Sequence, residues 1–432
     1  MKTIDVNDYG YLVHQDRVHR NVYIDPSIFD LEMKQIFAHS WLFVGHDSQV
    51  TESGDFITTT LADQALIMVR HNTDIHVLFN RCPHRGAKVC ETLSGNTYPF
   101  RCPYHGWVFD TDGRFINSSL HADYKKTSSV EHNLNMTSVA RMKNYRGFIF
   151  VCMSKNGPEF EKALGPILSS IDNLVDRSPL GEVELIDGIH RHVFPGNWKL
   201  QLENIQDAAH PPFIHASSNE AGMQGRIDNF KMRAEDVMQG NNAAGNTLAE
   251  SELGTFPGGH SYLAAIPIRM KVSEEAEKEY LLSLQKNYGL EKTESILNEP
   301  RHFNIIYPQI MLQSHFRTMK VLRPVSVDRT EVSVYVFRLK GAPEEYDNVA
   351  IQFANATNSA ASIILQDDLV TFANIQDALS TSANEWILFA NGLANDRPGD
   401  QGSYQGKGFT ELPMRNQFKA WCEYMSVDNS PE

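Results

Sequence analysis

The sequence predicts an α+β protein with a small all-β unit ahead of a larger domain of antiparallel sheet and packed helices. Three observations predict it. From Asp55 to about Val151, short β-branched runs alternate with Gly, Asn and Asp turns. Beyond Pro158 strands alternate with longer helical segments. The chain has 432 residues, 41% hydrophobic and 21% charged, which suits two or three cores rather than one.

The elements follow in order. PSIFDLEMKQIFAHSW carries apolar residues at helical spacing, with Pro26 and Ser27 suited to a helix start. DFITTT, ALIMVR, DIHVLFN and GFIFVCM read as the strands of the all-β unit. NWKLQLENIQDAAH reads as a helix ended by Pro211 and Pro212. Residues 216–260, rich in Gly, Asn, Ser and Ala, read as a long loop and a mobile lid. EEAEKEYLLSLQKNYG is the next helix. Two long strands, HFNIIYPQIMLQSHFRTMKVL and TEVSVYVFRLK, joined by RPVSVDR, should pair antiparallel. The stretch after Pro343, SAASIILQDDLVTFANI and MRNQFKAWCEYM complete the helices.

Composition narrows the function. A net charge of −14 argues against a nucleic-acid partner, because phosphate binding needs a basic surface. No apolar run approaches the roughly eighteen residues of a membrane span, and MKTIDVNDYG lacks the features of a secretory signal. The expectation is a cytoplasmic protein without membrane contact. Five cysteines, Cys82, Cys90, Cys102, Cys152 and Cys422, are too unevenly placed for a disulfide framework, so clustered ones are candidate metal ligands.

One cluster stands out. RCPHRG and RCPYHGW put Cys82 and His84 on one loop and Cys102 and His105 on another. Structural zinc usually takes Cys-x2-4-Cys knuckles with the histidines grouped apart. Two mixed Cys/His loops instead match a [2Fe–2S] centre of Rieske type, in which one iron takes two thiolates and the other two imidazoles. Imidazole ligation raises the reduction potential from roughly −400 mV to between about −150 and +300 mV. Gly86 and Gly106 allow close backbone approach, and Pro83 and Pro103 stiffen the loops. Arg81, Arg85, Lys88 and Arg101 form a basic island on them, suited to neutralising the cluster or to docking an acidic electron donor.

A centre that only moves electrons leaves the rest of the chain without a task. In WKLQLENIQDAAHPPFIHAS, Asn204, Asp207 and His210 should fan across one side of a helix, with His215 beyond the break. Two histidines and a carboxylate make the facial triad of non-heme Fe(II), which leaves positions open for dioxygen. The alternative for the histidines is a hydrogen-bonded core pair. Asp207, one turn before His210, is better placed to hold that ring's free N–H than to share its metal. The missing acid is sought in SAASIILQDDLVTFANI, where Asp368 has Ile364, Leu365, Phe372 and Ile375 at helical spacing, against Thr371 and Asn374 for Asp367. Asp368 is preferred. On QIMLQSHFRTM, Arg317 could hold a substrate carboxylate if the polar side of the strand lines the pocket.

At these residues the chain resembles the α subunits of Rieske non-heme iron aromatic-ring-hydroxylating oxygenases. Cys-x-His with Cys-x-x-His, Glu-Asn-x-x-Asp-x-x-His-x4-His and a late Asp-Asp occur in family order. The Asn-to-Asp interval is one residue shorter than in naphthalene-type members. The resemblance implies a helical segment (1–40) packing on the catalytic domain, a Rieske domain (41–155) and a helix-grip-like mononuclear iron domain (156–432). It implies that Cys82, His84, Cys102 and His105 hold the cluster and that His210, His215 and Asp368 hold the iron. It also implies that Asp207 links the His105 of one subunit to the His210 of the next in a head-to-tail trimer.

A ferredoxin, a flavin reductase or both would supply electrons, and dioxygen would be inserted into a small aromatic substrate. Cis-dihydroxylation or hydroxylation is the expected reaction; a Rieske monooxygenase removing N- or O-alkyl groups is the alternative. A further rival is an electron-transfer or redox-sensing protein without catalysis. The ending ELPMRNQFKAW resembles α subunits that travel with a small β subunit, implying α3β3 ahead of α3.

Overall fold

A computed structural model describes residues 9–118, 134–223, 251–264, 270–362 and 364–426. They divide into two units, one of residues up to Phe37 together with those from Pro158 onward, the other Ala38–Gly157. In the first unit a short strand (Arg17–His19) and a helical turn (Asn21–Ile24) precede helix α1 (Pro26–Glu32), whose start is set by Pro26 and by the Asp25 carboxylate accepting from the Ser27 N–H. The apolar periodicity beyond it is a separate wider turn, Met33–Phe37.

The Ala38–Gly157 unit is all-β, as its alternating runs predict. Strands β2 (Asp55–Leu61), β3 (Gln64–His71) and β4 (Asp74–Phe79) form a meander. The turns carry Ala62 and Asn72 at positive φ, as tight hairpin turns require. Strands β5 (Phe100–Arg101), β6 (Val108–Phe109) and β7 (Phe115–Asn117) form a second small sheet. In a third, β9 (Phe148–Cys152) lies between β8 (Arg141–Tyr145) and β1 (Leu42–His46). One apolar core of Phe56, Ile67, Leu78, Phe100, Trp107 and Phe109 includes Cys82 and Cys102.

The larger unit is built on a ten-stranded sheet. Strands β10 (Val183–Leu185) and β11 (His190–Phe194) pair with β17 (Arg329–Leu339). The order then runs through β16 (Thr318–Ser326), β15 (Ile310–Gln313), β14 (Arg301–Ile306), β13 (Ser261–Ala264), β12 (Glu252–Thr255) and β18 (Tyr404–Lys407) to a two-residue edge strand, Arg397–Pro398. All these pairings are antiparallel. The helices that accompany the sheet include α2 (Trp198–Ile205), α3 (Glu274–Tyr288), α4 (Glu344–Thr357), α5 (Leu365–Leu379) and α6 (Leu412–Met425).

Directly opposed residues of an antiparallel ladder share a face, so the register identifies the face that carries the site. Val334 lies opposite Lys320, Lys320 opposite Met311, Met311 opposite Ile305, and Val332 opposite His192. Leu263 and Leu253 continue this face and pack with Ala208, just beyond α2. Phe372 of α5 packs on Phe194 of the same face, ring centroids 5.0 Å apart.

Three expectations are corrected. The long strand over 302–322 is β14, β15 and the start of β16. Pro308, which has no N–H for a ladder, lies in the first turn, and Arg317 at φ +55° lies in the second. The loop over 216–260 contains a helix (Ala216–Met223), β12 and a short helical turn (Pro257–Gly259); the lid assigned to its middle lies outside the described residues. The helix carrying Asn204 ends at Ile205, so Asp207 and His210 are not on it. Asp207 accepts from the Ala209 N–H at 2.7 Å, a local bond that competes with helical pairing.

Candidate metal centres

The two Cys/His loops of the all-β unit repeat one backbone pattern. The Cys82 N–H donates to the Ala87 carbonyl and the Gly86 N–H to that of Cys82, at 2.8 and 2.9 Å. The Cys102 N–H donates to the Trp107 carbonyl and the Gly106 N–H to that of Cys102, at 2.8 and 3.0 Å. Gly86 and Gly106 have φ of +78° and +65°, where a side chain is strained. Both cysteines are 2% exposed. The His84 and His105 rings lie 4.6 Å apart, and His84 stacks on Trp107.

Burial pushes the Cys82 thiol up to about 11, with hydrogen bonding to Cys102 adding to the rise. Two buried thiols side by side with two adjacent imidazoles fit the donor set of a Rieske cluster. The other cysteines lack such company: burial pushes Cys90 up to about 12, and the Cys152 sulfur accepts from Arg141. Arg81, Arg85, Lys88 and Arg101 are all exposed.

In the larger unit, His210, His215 and Asp368 converge. One donor atom from each lies within 4.8 Å of the other two. His210 Nε2 and His215 Nε2 stand 3.8 and 3.5 Å from Asp368 Oδ1. These separations suit three donors around one ion better than hydrogen bonds. Helical phase puts Asp368 there: Leu365, Asp368 and Phe372 are buried along one stripe of α5, and Ile375 is exposed. Asn204 donates to Asp368 Oδ1 at 3.0 Å and lies 3.3 Å from His210 Nε2.

Each histidine turns its other nitrogen to a carboxylate. His215 Nδ1 lies 3.2 Å from Asp367 Oδ2, which also accepts from Ser218. His210 Nδ1 lies 3.6 Å from Asp207 Oδ2. Burial works against ionisation of Asp207, but the His210 ring and the Ala209 and His210 backbone N–H groups hold its carboxyl below the usual range. Such carboxylates orient a metal-bound imidazole and raise its basicity. Sequence reasoning found Asp207 in this position but not Asp367, whose only signal was its place next to Asp368.

Arg317 is engaged elsewhere. It pairs with Asp347 at 3.5 Å, donates to the Tyr346 carbonyl and lines a separate cavity with Arg177, Tyr280 and Tyr346. A second acid/imidazole cluster, His71, Asp110 and Asp112, is internally satisfied, with Arg114 on Asp110 and Thr111 on His71.

A cluster loop pair in a β unit and a two-histidine, one-carboxylate centre on a mixed domain define the class of Rieske non-heme iron oxygenase α subunits. Residues 40–128 match the Rieske [2Fe-2S] domain, and residues 183–426 match the ring hydroxylating alpha subunit (catalytic domain). The chain belongs to the ring-hydroxylating α-subunit family. It is 32% identical to the 2-halobenzoate 1,2-dioxygenase large subunit of Burkholderia cepacia, over 87% of this chain and 80% of that one. It is 28% identical to toluate 1,2-dioxygenase subunit alpha of Pseudomonas putida, over 86% and 82%. Its fold matches naphthalene 1,2-dioxygenase with bound indole at a TM-score of 0.83 and 23% identity, covering 99% of this chain and 96% of that one.

The protein is thus an oxidoreductase that incorporates dioxygen into aromatic substrates, with a Rieske cluster and mononuclear iron as cofactors and a ferredoxin or reductase as its electron source. No described helix is long and apolar enough to cross a membrane.

Proposed function

We propose that this chain is the α subunit of an oxygenase that dihydroxylates a monocyclic aromatic acid. The observation that carries the reading is the convergence of His210, His215 and Asp368 on one point in a chain that also holds the paired Cys/His loops. The acid class is supported by the likeness to proteins named for halobenzoate and toluate. In this reading Cys82, His84, Cys102 and His105 hold the cluster, and His210, His215 and Asp368 hold the iron. When bound, the two centres supply single electrons and the place where dioxygen is activated.

The surrounding residues set the conditions for that chemistry. Asn204 fixes the Asp368 carboxylate by donating to Oδ1. Asp367, accepting from the His215 Nδ1–H, and Asp207, facing His210 Nδ1 at 3.6 Å, favour the tautomers that leave both Nε2 atoms free to bind. Asp207 also carries electrons from the His105 of a neighbouring subunit to His210. The assembly is a trimer of this chain with a small β subunit, α3β3, in the cytoplasm. Relatives named as a large subunit and a subunit alpha support a second subunit, and five cysteines too unevenly placed for a disulfide framework support a reducing compartment.

Product analysis under labelled dioxygen tests the reading. Benzoate-type acids should yield a ring diol carrying label in both new hydroxyls. Release of labelled formaldehyde together with an unlabelled demethylated urea from an N-methyl arylurea would establish dealkylation instead.

A further inference from the structure

Three buried polar side chains gather beside the iron-binding residues without a hydrogen-bond partner among the described residues. On the site face of the sheet, Lys320 of β16 is 6% exposed and His192 of β11 is 7% exposed. Among the described residues no hydrogen bond or ion pair holds the Lys320 ammonium, and neither ring nitrogen of His192 has a hydrogen-bond partner. Gln201 of α2 is fully buried, and both atoms of its amide lack partners. Native proteins rarely leave such groups unsatisfied, because an unpaired buried polar group has given up its bonds to water for nothing.

The fold brings the three together. Lys320 and His192 lie on one face, opposite Val334 and Val332 of β17. Gln201 stands one helical turn before Asn204, whose amide binds Asp368, and α2 packs against β16. Asp368 stands one turn before Phe372, which packs on Phe194, two residues from His192. Burial lowers the Lys320 pKa, the Asp368 carboxylate opposes that lowering, and the Lys320 charge adds to the effect of burial at His192. Burial keeps His192 neutral, its imidazolium pKa depressed to about 4, so one ring nitrogen carries a proton to donate and the other is a free acceptor.

We infer that Lys320, with His192 and Gln201, forms the anchor for the substrate's carboxylate, so that the ring of an aromatic acid lies between this anchor and His210, His215 and Asp368. The inference deepens the acid reading and rests on it. One cation and two neutral donors match one carboxylate with several lone pairs. Arg317 and Arg323, the cations three residues to either side, are already paired with Asp347 and Glu331. An uncharged ring would leave the Lys320 ammonium buried and unpaired, so the site selects against neutral hydrocarbons.

The test is calorimetric binding of benzoate and of neutral benzamide to the purified holoenzyme without dioxygen. Wild-type protein should prefer benzoate, and Lys320→Met should weaken benzoate on the order of 10–100-fold while changing benzamide by less than about threefold. Iron content and the Rieske absorption should stay at wild-type levels in this variant. A wild-type protein without preference for benzoate overturns the acid reading and the anchor together. A wild-type preference that survives in Lys320→Met overturns the anchor alone. Gln201→Leu provides the same test should Lys320→Met not fold: benzoate should weaken about 3–10-fold, and unchanged affinity overturns the anchor.

Discussion

Asp367 and Asp368 are neighbours in sequence with opposite duties, and the 100° between them on α5 decides which is which. Asp368 is 6% exposed and faces both imidazoles, whereas Asp367 approaches only the far side of His215. Asp368→Ala should therefore lose the mononuclear iron and turnover while the Rieske absorption is unchanged. Asp367→Asn should retain a site that binds iron about 10–100-fold more weakly. Iron assays with visible spectra on both variants check this, and the reverse result would move the ligand by one residue. The preference for Asp368 was legible because Leu365 and Phe372 mark the buried stripe. The duty of Asp367 was not, because it depends on where tertiary folding puts His215, 152 residues away in sequence. Arg317 shows the same boundary: its residue type suggested a carboxylate site, but a turn at positive φ directs it toward Asp347.

Elements that read as one piece in sequence break where a local bond outcompetes the ladder. The alternation through HFNIIYPQIMLQSHFRTMKVL is continuous, yet turns at Pro308 and Arg317 cut it into three strands. The shorter units of the β domain were legible because Gly, Asn and Asp punctuate them. What sequence could not show is the polar network holding α2. The Glu32 carboxylate accepts from Lys199 at 2.5 Å, from Trp421 at 2.7 Å and from Trp198 at 2.8 Å, all buried. Glu32→Gln strands the Lys199 charge and should cost about 3–5 kcal/mol, read as a lower unfolding midpoint. Adding Lys199→Met should recover most of that loss, since an apolar replacement of the pair leaves no buried charge. Beside it, burial pushes the Glu203 carboxyl up to about 8 although Tyr23, Lys199 and Gln417 oppose the rise. The folded chain then holds a proton that the unfolded chain has released, so stability from this group is full below the ordinary carboxylate pKa and is lost as pH rises toward 8. Glu203→Gln should flatten the fall in unfolding free energy between pH 5 and 8, and an unchanged slope would place it in another group.

At the scale of the assembly, the proposed electron route makes a prediction that no single chain can satisfy. Cys102→Ala removes a cluster ligand and leaves His210, His215 and Asp368 intact; His215→Ala does the opposite. Each variant alone should be inactive. Co-expressed as differently tagged chains and purified through both tags, they form mixed trimers in which a cluster-bearing chain can lie beside an iron-bearing one. In a head-to-tail ring filled at random from equal amounts, about one interface in four has the productive order, so activity near a quarter of wild type per interface is expected before tag selection. Transfer within one chain would give no activity in any mixture, because no chain then holds both centres. Asp207→Asn placed on the iron-bearing variant separates the path from the assembly. It keeps the side chain's size but removes the charge facing His210 at 3.6 Å. Mixed trimers carrying it should assemble and retain both metals, but reoxidise a prereduced cluster at least about tenfold more slowly when substrate and dioxygen are added. Reoxidation at the rate of the unmodified mixture would show that electrons reach the iron without Asp207, even where complementation proves that they cross between chains.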